Sequence, residues 1–458
     1  MIVMKFGGTS VQDAVAIQNV SRIIAARLGE KPLVIVSACA GATNALIRIA
    51  QKAGDGHEAP AIASLHELRD RHISIAGELL PGAHGSVLQS LQADFDELEQ
   101  LVRSIVVLRE VTPRTLDQVA AYGERWSSLL LHAALNHQGI PCEWIDARTV
   151  MATDNEFSHA TPLLDTIEHR AQTSLLPLLH KGSVIVTQGF IGATLDGITT
   201  TLGRGGSDYS AAVLGAALGA AAIQIWTDVD GMMTADPTII SDAQLIKEMS
   251  FNEAAELAYF GAKVLHPSTI LPAIRKNIPV WVLNSSRPES AGTLITHKST
   301  QEPDSVVKSI AYKKGISVIT VQSTRMLMSY GFLARVFEVF ARHKKSVDVV
   351  ATSEVGVSMT VDNRSLISQI VEELQQFADV QAHYDRAVVC VVGEGMKQTK
   401  GIAARVFTAL GNAGVNVELI SHGGSEINLT FVIREDEVLR AVEALHDEFF
   451  CLVDHLTS

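Results

Sequence analysis

Short apolar runs alternate with helical patterns through the first two thirds of the chain. The runs are aliphatic or β-branched on both faces, which is typical of strands covered by helices on either side. They are Ile2–Phe6, Leu33–Ser37, Ser183–Gln188, Ala222–Trp226 and Val280–Leu283. This pattern predicts an α/β sandwich built on a mostly parallel sheet.

Two stretches interrupt the alternation. Residues 54–138 follow a helical pattern almost throughout, so we expect a helical insertion that caps one end of the sheet. Residues 296–305 are polar and include Pro303, which is typical of a linker.

The last third of the chain contains an internal repeat. Gly331–Phe337 (GFLARVF) recurs 70 residues later as Gly401–Phe407 (GIAARVF). In each copy a strand pattern precedes this helix, and two strands and a second helix follow it. The order β-α-β-β-α, found twice, predicts two ferredoxin-like units that arose by duplication.

Composition narrows the class of protein. A chain of 458 residues is too long for one core, so several compact units are expected. The net charge of −13 argues against a nucleic-acid binder, which would need a basic face. No apolar run approaches the ~20 residues that span a bilayer, and the N-terminus lacks the pattern of a signal peptide. The cysteines Cys39, Cys142, Cys390 and Cys451 are isolated, which favours a reducing cytoplasm.

A glycine-rich turn follows the first strand. In the run Lys5–Ser10 (KFGGTS), adjacent glycines allow a phosphate to approach the backbone, while hydroxyls, a helix N-terminus and Lys5 supply positive partners. An ordinary β-α turn with Ser10 as the N-cap explains the same residues equally well. The run is not a Walker A loop.

A second glycine-rich loop, Gly203–Asp208 (GRGGSD), is a near match to a dinucleotide fingerprint. Asp208 stands where the third glycine belongs and would repel a pyrophosphate, so we do not expect NAD here. Arg204 could bind a substrate carboxylate, and Asp208 could orient a catalytic lysine or the metal of a nucleotide. The structural alternative is a loop in which Ser207 or Asp208 caps the next helix.

Three further segments are candidates for the same site. Ser37–Asn44 is a small-residue loop that follows a strand, where open sheets bind ligands. Glu124 lies on a predicted helix, where the default for a single glutamate is the surface. Trp226–Gly231 (WTDVDG) ends a strand and either holds a nucleotide or turns the chain.

Taken together, these motifs resemble the aspartokinase signatures. KFGGTS at residues 5–10, TLGRGGSD at 201–208, WTDV at 226–229 and FGAKVLHP at 260–267 occur in the order and spacing of that family. The resemblance covers essentially the whole chain and is strongest to the monofunctional, lysine-sensitive branch. The sequence differs from the family pattern at Met233 and Thr238, where relatives often have Tyr and Arg. This difference concerns the contacts with the nucleotide and not the reaction.

The resemblance implies an architecture. We expect an amino-acid kinase fold, an αβα sandwich with a mostly parallel sheet, followed by two ferredoxin-like βαββαβ ACT domains. The implied boundaries are residues 1–295 for the catalytic domain, 296–306 for a linker, 307–385 for a first regulatory ACT domain and 386–458 for a second, pairing one.

The resemblance also implies the site residues. Catalytic roles are expected for Lys5, Asp208 and Lys263. Aspartate contacts are expected from Ser37, Thr43, Glu124, Arg204 and Ser207. ATP contacts are expected from Lys5, Gly7, Gly8, Ser10, Thr227, Asp228 and Lys263. Arg204 would pair with the α-carboxylate and Glu124 with the α-ammonium.

The implied reaction is transfer of the γ-phosphoryl group of ATP to the β-carboxylate of L-aspartate. The product, 4-phospho-L-aspartate, opens the route to lysine, threonine and methionine. Because a carboxylate of pKa ~3.9 is already ionised, no general base is needed and His266 receives no role. Cations, backbone donors and Mg²⁺ suffice. The Mg²⁺ is expected to arrive with ATP and to have no direct protein ligand.

The first repeat is the expected effector site. The residues implied for L-lysine binding are Met326, Ser329, Gly331, Phe332, Leu333, Ser346, Asp348, Thr352, Ser353 and Glu354. Free amides at a helix start suit a carboxylate, and Asp348 and Glu354 offer charge to an ammonium. A solvated helix end with two surface acids is the alternative. We expect a homodimer, or a dimer of dimers, formed through the ACT domains.

Two other functions compete. A glutamate, N-acetylglutamate or carbamate kinase would resemble the first half only and would lack tandem ACT units and the signature at residues 260–267. A non-catalytic lysine sensor would show damage at catalytic positions, yet Lys5, Glu124, Arg204, Asp208 and Lys263 are all present.

Overall fold

The computed structural model describes residues 1–82, 85–260, 267–297, 306–323, 330–396, 398–422 and 427–451. The chain divides into two compact units. The first consists of Met1–Met232, Lys247–Phe251 and Val264–Ser299, and the second consists of Met233–Ile246, Asn252–Lys263 and Thr300–Ser458.

The first unit contains a twisted, mostly parallel sheet. Its strands are β1 (Ile2–Phe6), β2 (Pro32–Val36), β3 (Cys142–Ile145), β4 (Val184–Gln188), β7 (Ala222–Thr227), β8 (Glu248–Ser250), β9 (Val280–Asn284) and β10 (Thr293–Thr296). A separate short hairpin consists of β5 (Ile191–Ala193) and β6 (Thr199–Thr201). The sheet order is β3-β4-β2-β1-β7-β9-β10-β8, and β10 runs antiparallel to β9. The predicted buried strands and mostly parallel sheet are confirmed.

Helices cover both faces of this sheet. Those that begin in the first unit are α1 (Ala14–Ala25), α2 (Ala42–Gly54), α3 (Glu58–Leu79), α4 (Gly85–Leu108), α5 (Pro113–Ala120), α6 (Tyr122–His137), α7 (Leu164–Ser174), α8 (Leu176–His180), α9 (Gly206–Leu218), α10 (Phe251–Tyr259) and α11 (Leu271–Arg275). β1, at the centre of the sheet, has all five residues buried, which explains its unbroken apolar run apart from Lys5.

The predicted helical insertion is formed by α3 to α6. Its interior is aromatic: the Phe95 and Trp126 rings stack with centroids 4.0 Å apart, and the His72 ring lies 5.0 Å from Trp126 at a steep angle. Burial lowers the pKa of His72 to about 4, so this histidine is neutral. The interior of the insertion is continuous with the core that covers the sheet, because its buried residues and those of the central strands form one cluster.

The second unit contains one six-stranded antiparallel sheet. Its elements are β11 (Ser309–Gln322), α12 (Phe332–Arg342), β12 (Val350–Thr352), β13 (Gly356–Asp362), α13 (Ile367–Leu374), β14 (Asp379–Val392), α14 (Ile402–Asn412), β15 (Leu419–Ser421), β16 (Asn428–Arg434) and α15 (Val438–Phe450). The sheet order is β12-β13-β11-β14-β16-β15. The predicted duplication is confirmed, and the two repeats share this single sheet.

The sharing results from two long strands. β11 and β14 have 14 residues each, which is more than one repeat needs. The second half of β11 pairs with β13 and with the start of β14, while its first half pairs with the end of β14, which in turn pairs with β16. Each long strand therefore belongs to both repeats.

Two segments expected within residues 1–295 belong instead to the second unit. Ala235 and Ile240 are buried in the core of its second repeat. The carbonyl of Met233 accepts a hydrogen bond from Ser309 Oγ at 2.7 Å, and Tyr312 donates to Asp236 at 3.0 Å. The core of the second repeat thus includes residues from before position 295, where the catalytic domain was predicted to end. The 296–306 linker lies mostly outside the described residues.

Among the described residues, no helix combines the length and the apolar composition that a membrane span requires.

The core of the second repeat provides a stability prediction. Leu445 of α15 is fully buried in that core, whereas Leu439 on the same helix is 49% exposed. We expect Leu445→Ala to lower the free energy of unfolding by about 2–5 kcal/mol, because it removes buried methyl groups and leaves a cavity.

The matched control is Leu439→Ala, which should change stability by less than about 0.5 kcal/mol. Urea denaturation followed by circular dichroism measures both variants. Equal effects of the two substitutions would contradict the assigned packing of α15.

Candidate active site

A cavity of about 410 Å³ opens at the carboxyl ends of β1, β2 and β4. It is lined by Lys5, Gly8, Ser37, Ala38, Cys39, Ala40, Gly41, Thr43, Asn44, Glu124, Phe190, Gly203, Arg204, Gly205, Gly206, Ser207 and Asp208. The crevice beyond the carboxyl ends of parallel strands is where open sheets bind ligands. The two glycine-rich loops, the small-residue loop and Glu124 therefore meet at one site.

An ion pair joins the two glycine-rich loops. Lys5 Nζ lies 2.7 Å from Asp208 Oδ1, and the two side chains are only 11% and 13% exposed. A nearly buried ammonium requires a partner, because the cost of removing a lone charge from water is large. Asp208 supplies that partner from the first turn of α9.

The loops after β1 and β2 pack backbone against backbone. A Cβ atom at Gly8 would lie 2.8 Å from the carbonyl oxygen of Ala38, so only glycine fits there. The Ala40 amide donates to the Gly8 carbonyl at 3.0 Å. From α3, Arg71 donates to the carbonyls of Ala40 and Gln12 at 2.8 and 2.9 Å, which fixes both loops from outside.

Glu124 is buried at the wall of the cavity. Burial raises the pKa of its carboxyl group to about 8, although contacts with the Ala38 backbone and the Thr43 hydroxyl oppose the shift. Its Oε2 atom has no hydrogen-bond partner among the described residues. A Cβ at Gly123 would lie 2.8 Å from Ala38 Cβ, and this glycine lets α6 approach closely enough for Glu124 to reach the cavity. The surface default was wrong for this residue.

The loop that carries Arg204 is strongly constrained. Gly203 and Gly205 have φ of +74° and +73°, and a Cβ at Gly203 would lie 2.6 Å from His159 Nδ1. Gly205 is the N-cap of α9, and Gly206, Ser207 and Asp208 of the first turn line the cavity. Arg204 itself is exposed and has no hydrogen bond or ion pair with any other residue that the structure describes.

Asp117 of α5 fixes the segments that precede this loop, although no sequence motif predicted a role for it. Its buried carboxylate accepts bonds from the Thr201 amide at 2.9 Å, the Thr201 hydroxyl at 2.7 Å and the Ser158 amide at 2.8 Å. Arg71 was missed as well. No sequence signal marks either residue, since each acts through backbone groups that are distant in the chain.

The expected ATP-contact residues are divided between two strand ends. Gly7 lies beside Lys5, and its amide donates to the Trp226 carbonyl at 3.0 Å. Ser10 is buried and bonds Ser285 Oγ at 2.7 Å, not the cavity. Thr227 ends β7, and its hydroxyl donates to Asp228 at 3.1 Å.

These contacts place Ser10, Thr227 and Asp228 beside the cavity and not in its lining. Their assignment as ATP contacts stays a prediction. Lys263 and His266 lie outside the described residues.

The expected effector residues lie in the first repeat. Gly331, with φ of +82°, caps α12, whose first turn contains Phe332 and Leu333. Ser346 is exposed and Asp348 half-buried before β12, while Thr352, Ser353 and Glu354 are exposed at the turn into β13. Met326 and Ser329 lie outside the described residues. This set stays a prediction.

The fold and the cavity define a class of protein. The amino acid kinase family model matches residues 1–284, and an ACT domain model matches residues 389–449. The chain is thus an amino acid kinase with an ACT-type C-terminal part, which confirms the predicted fold class.

Comparison with individual proteins gives the family. The lysine-sensitive aspartokinase 3 of Escherichia coli K12 is 37% identical and aligns over 98% of this chain and 99% of its own. The chloroplastic aspartokinase 1 of Arabidopsis thaliana is 39% identical over 98% of this chain and 80% of its own. The chain belongs to the aspartokinase family.

Solved structures agree with this assignment. E. coli aspartokinase III in complex with aspartate and ADP, its R-state, superposes with a TM-score of 0.84 at 36% identity, covering 98% of this chain and 99% of that one. The same enzyme in complex with lysine and aspartate, its T-state, gives a TM-score of 0.83 at 37% identity and the same coverage.

The raised pKa of Glu124 generates a prediction about stability. Because the folded-state pKa (about 8) lies above the ordinary value of 4.5, the unfolded chain releases this proton first as pH rises. Glu124 therefore contributes stability that is fully present below about pH 4.5 and lost progressively up to about pH 8.

The measurement compares wild type with Glu124→Gln, which cannot titrate. We expect the unfolding free energy of the variant, relative to wild type, to rise by on the order of 1 kcal/mol per pH unit between about pH 5 and about pH 8, and then level off. Parallel stability curves for the two proteins would refute the raised pKa.

Proposed function

We propose that this aspartokinase binds L-aspartate and the γ-phosphate of ATP in the cavity between the loops after β1 and β2 and the start of α9. The arrangement of charge carries the proposal. Two cationic side chains, Lys5 and Arg204, and the first turn of α9 line one small space that also holds the buried carboxyl group of Glu124. An amino acid with two carboxylates and one ammonium matches these charges.

Aspartate would bind through its α-amino-acid end. The guanidinium of Arg204 is available for a bidentate pair with the α-carboxylate, and Glu124 would accept the α-ammonium. Glu124 holds its proton in the free site at neutral pH, and an ammonium beside it favours the ionised form. Aspartate binding should therefore release a proton. Ser37, Thr43 and Ser207 line the same cavity and would complete the contacts.

The β-carboxylate is the nucleophile and needs no base, because it is already ionised. The remaining task is to bring two anions together in line. Lys5 would stabilise the charge that moves from the γ-phosphoryl group, Asp208 holds that ammonium in position at 2.7 Å, and the α9 amides add donors. Gly8 lets phosphate oxygens approach the backbone. Mg²⁺ enters with ATP as part of the substrate and is expected to have no direct protein ligand.

The rest of the nucleotide would lie towards the β7 end of the sheet. The Gly7 amide bonds the carbonyl of Trp226, which lies on β7, the neighbour of β1 in the sheet. Thr227 and Asp228 follow Trp226 directly, so their polar side chains come next along this edge of the sheet. Ser10 supports this edge through Ser285, whose amide donates to the Thr227 carbonyl at 2.8 Å. Lys263 is assigned to the phosphates on the family motif alone.

Regulation is assigned to the first repeat. L-lysine would place its carboxylate at the free amides of α12 and an ammonium near Asp348 and Glu354, and its binding would lower activity. Coupling of this kind is typically worth ~1–3 kcal/mol. We further assign the protein to the cytoplasm, and its assembly to a homodimer or a dimer of dimers formed through the ACT domains.

The reaction itself is tested by a coupled assay of ADP release with Mg–ATP and L-aspartate. We expect turnover that depends on aspartate, and we expect Lys5→Ala to reduce kcat by on the order of 10²–10³, because an electrostatic stabiliser of the transition state is lost. Lys181→Ala, at an exposed lysine, is the control and should leave kcat unchanged.

The same assay with L-glutamate or N-acetyl-L-glutamate separates the sibling kinases. Turnover with either of these and none with aspartate would overturn the acceptor assignment. Near-normal turnover of Lys5→Ala would overturn the role given to that lysine.

The effector is tested by adding L-lysine to the assay and by calorimetry on the full chain. We expect lysine to bind and to inhibit, and Glu354→Gln to weaken both by about tenfold, because the carboxylate charge that strengthens the bond to an ammonium is lost. Glu338→Gln, at an exposed carboxylate of α12, is the control. Full activity at saturating lysine would remove lysine as the effector and leave the kinase assignment intact.

A further inference from the structure

One face of α10 is bonded to both repeats of the second unit. Glu253, Glu256 and Tyr259 recur at a spacing of three residues, so they lie along one side of the helix. Glu253 Oε1 accepts a bond from the Glu394 amide at 2.7 Å, and Glu256 Oε2 accepts one from Asn428 Nδ2 at 2.6 Å. These two partners belong to the second repeat.

The last of the three side chains reaches the first repeat. The Tyr259 hydroxyl donates to Asp348 Oδ1 at 2.5 Å. Tyr259 is the final residue of α10, so this bond holds the C-terminal end of the helix against the first repeat. α10 is thus fastened to the second repeat along its length and to the first repeat at its end.

Asp348 is already fully engaged. Lys313 Nζ lies 3.5 Å from its other oxygen, forms an ion pair with Asp362 as well, and sits 5.4 Å from the centroid of the Tyr259 ring. The Asp348 side chain is only 8% exposed. Asp348 and Asp362 thus share the ammonium of Lys313, and the Tyr259 hydroxyl donates an additional hydrogen bond to Asp348.

A ligand that carries an ammonium group is a chemically matched competitor for Asp348. The cluster of Asp348, Asp362 and Lys313 carries a net negative charge, which a second ammonium would neutralise. Burial and the neighbouring Asp362 raise the pKa of Asp348, and the Tyr259 hydroxyl acts in the opposite direction. A ligand ammonium that bonds Asp348 must take the position of the tyrosine hydroxyl or crowd it out, because little of the carboxylate is otherwise accessible.

We propose that Tyr259 is a positioning residue whose hydroxyl competes with the ammonium of the effector for Asp348, so that effector binding frees the end of α10 from the first repeat. This rests on the proposed binding of lysine in the first repeat. α10 follows β8 of the catalytic sheet without an intervening residue, and the signature segment 260–267 follows α10 in the sequence. Because Glu253 and Glu256 keep the earlier part of the helix bonded to the second repeat, effector binding frees only its C-terminal end.

Loss of the Tyr259 hydroxyl should raise the affinity for lysine, whereas loss of a purely structural contact should lower it. The hydroxyl bond exists only without effector, so its removal destabilises the effector-free form and makes lysine bind more tightly. A substitution that merely loosened the fold would weaken binding.

Tyr259→Phe is the test, because it keeps the ring over which Lys313 lies and removes only the hydroxyl. Calorimetry on the full chain should show L-lysine binding about tenfold more tightly than to wild type, the value of a hydrogen bond to a charged acceptor. The midpoint of inhibition in the ADP-release assay should shift by the same factor.

Glu256→Gln is the matched control. It lies on the same face of α10, one turn earlier, and its partner is in the second repeat, so lysine affinity should not change.

A second measurement follows the helix directly. Hydrogen exchange of the last turn of α10 should speed up when lysine binds to wild type. In Tyr259→Phe it should be fast without lysine and unaffected by it.

The outcomes separate the two claims. If wild type does not bind lysine, the effector assignment fails and the competition falls with it. If wild type binds lysine but Tyr259→Phe binds it with equal or lower affinity, only the role of Tyr259 is overturned. If affinity rises while exchange in α10 does not respond to lysine, the transmission through α10 is overturned.

Discussion

The ion pair between Lys5 and Asp208 is the interaction on which the catalytic part of the molecule depends. A lysine in the central strand of a sheet with two covered faces is unfavourable unless its ammonium finds a partner, since neither layer offers water. Asp208 meets that need at 2.7 Å from the first turn of α9. The pair therefore joins the two glycine-rich loops, and both of its side chains line the cavity. In the proposed reaction, the phosphoryl group would meet an ammonium that already lies within the site, so little reorganisation would remain for the transition state.

Glycines make this geometry sterically attainable. A side chain at Gly8 would meet the Ala38 carbonyl, and one at Gly123 would meet Ala38 Cβ, so the second loop is enclosed by backbone on two sides. A side chain at Gly189 would lie 2.6 Å from Ser207 Cβ. The same closeness excludes water from Glu124 and raises the pKa of its carboxyl group. In the proposed binding mode, Glu124 would stay neutral until the α-ammonium of the substrate is present, which avoids an unpaired buried charge.

The sequence predicted the parts of the molecule that depend on local pattern. The buried strands, the helical insertion and the duplicated unit each follow from periodicity or repetition, and the structure contains all three. It could not predict contacts made between distant segments. Nothing near Glu124 or Asp117 in the chain signals burial, since their environment is provided by Ala38 and Thr201 respectively. The transfer of residues 233–246 to the second unit was missed for the same reason, because Ala235 and Ile240 are apolar wherever their partners lie.

The shared sheet of the second unit shapes how an effector signal can spread. If the repeats were separate domains on a linker, a ligand in one would have no mechanical effect on the other. Because β11 and β14 each run through both repeats, the repeats share one sheet, and an element bonded to both repeats is held at two points of one structural unit. α10 is such an element, fixed to the second repeat by Glu253 and Glu256 and to the first by Tyr259. Loss of the Tyr259 bond leaves the helix anchored at its start and free at its end, so that it can pivot instead of detaching. Such a pivot would move the end of the helix while its other bonds stay in place, as a reversible transition between two states requires.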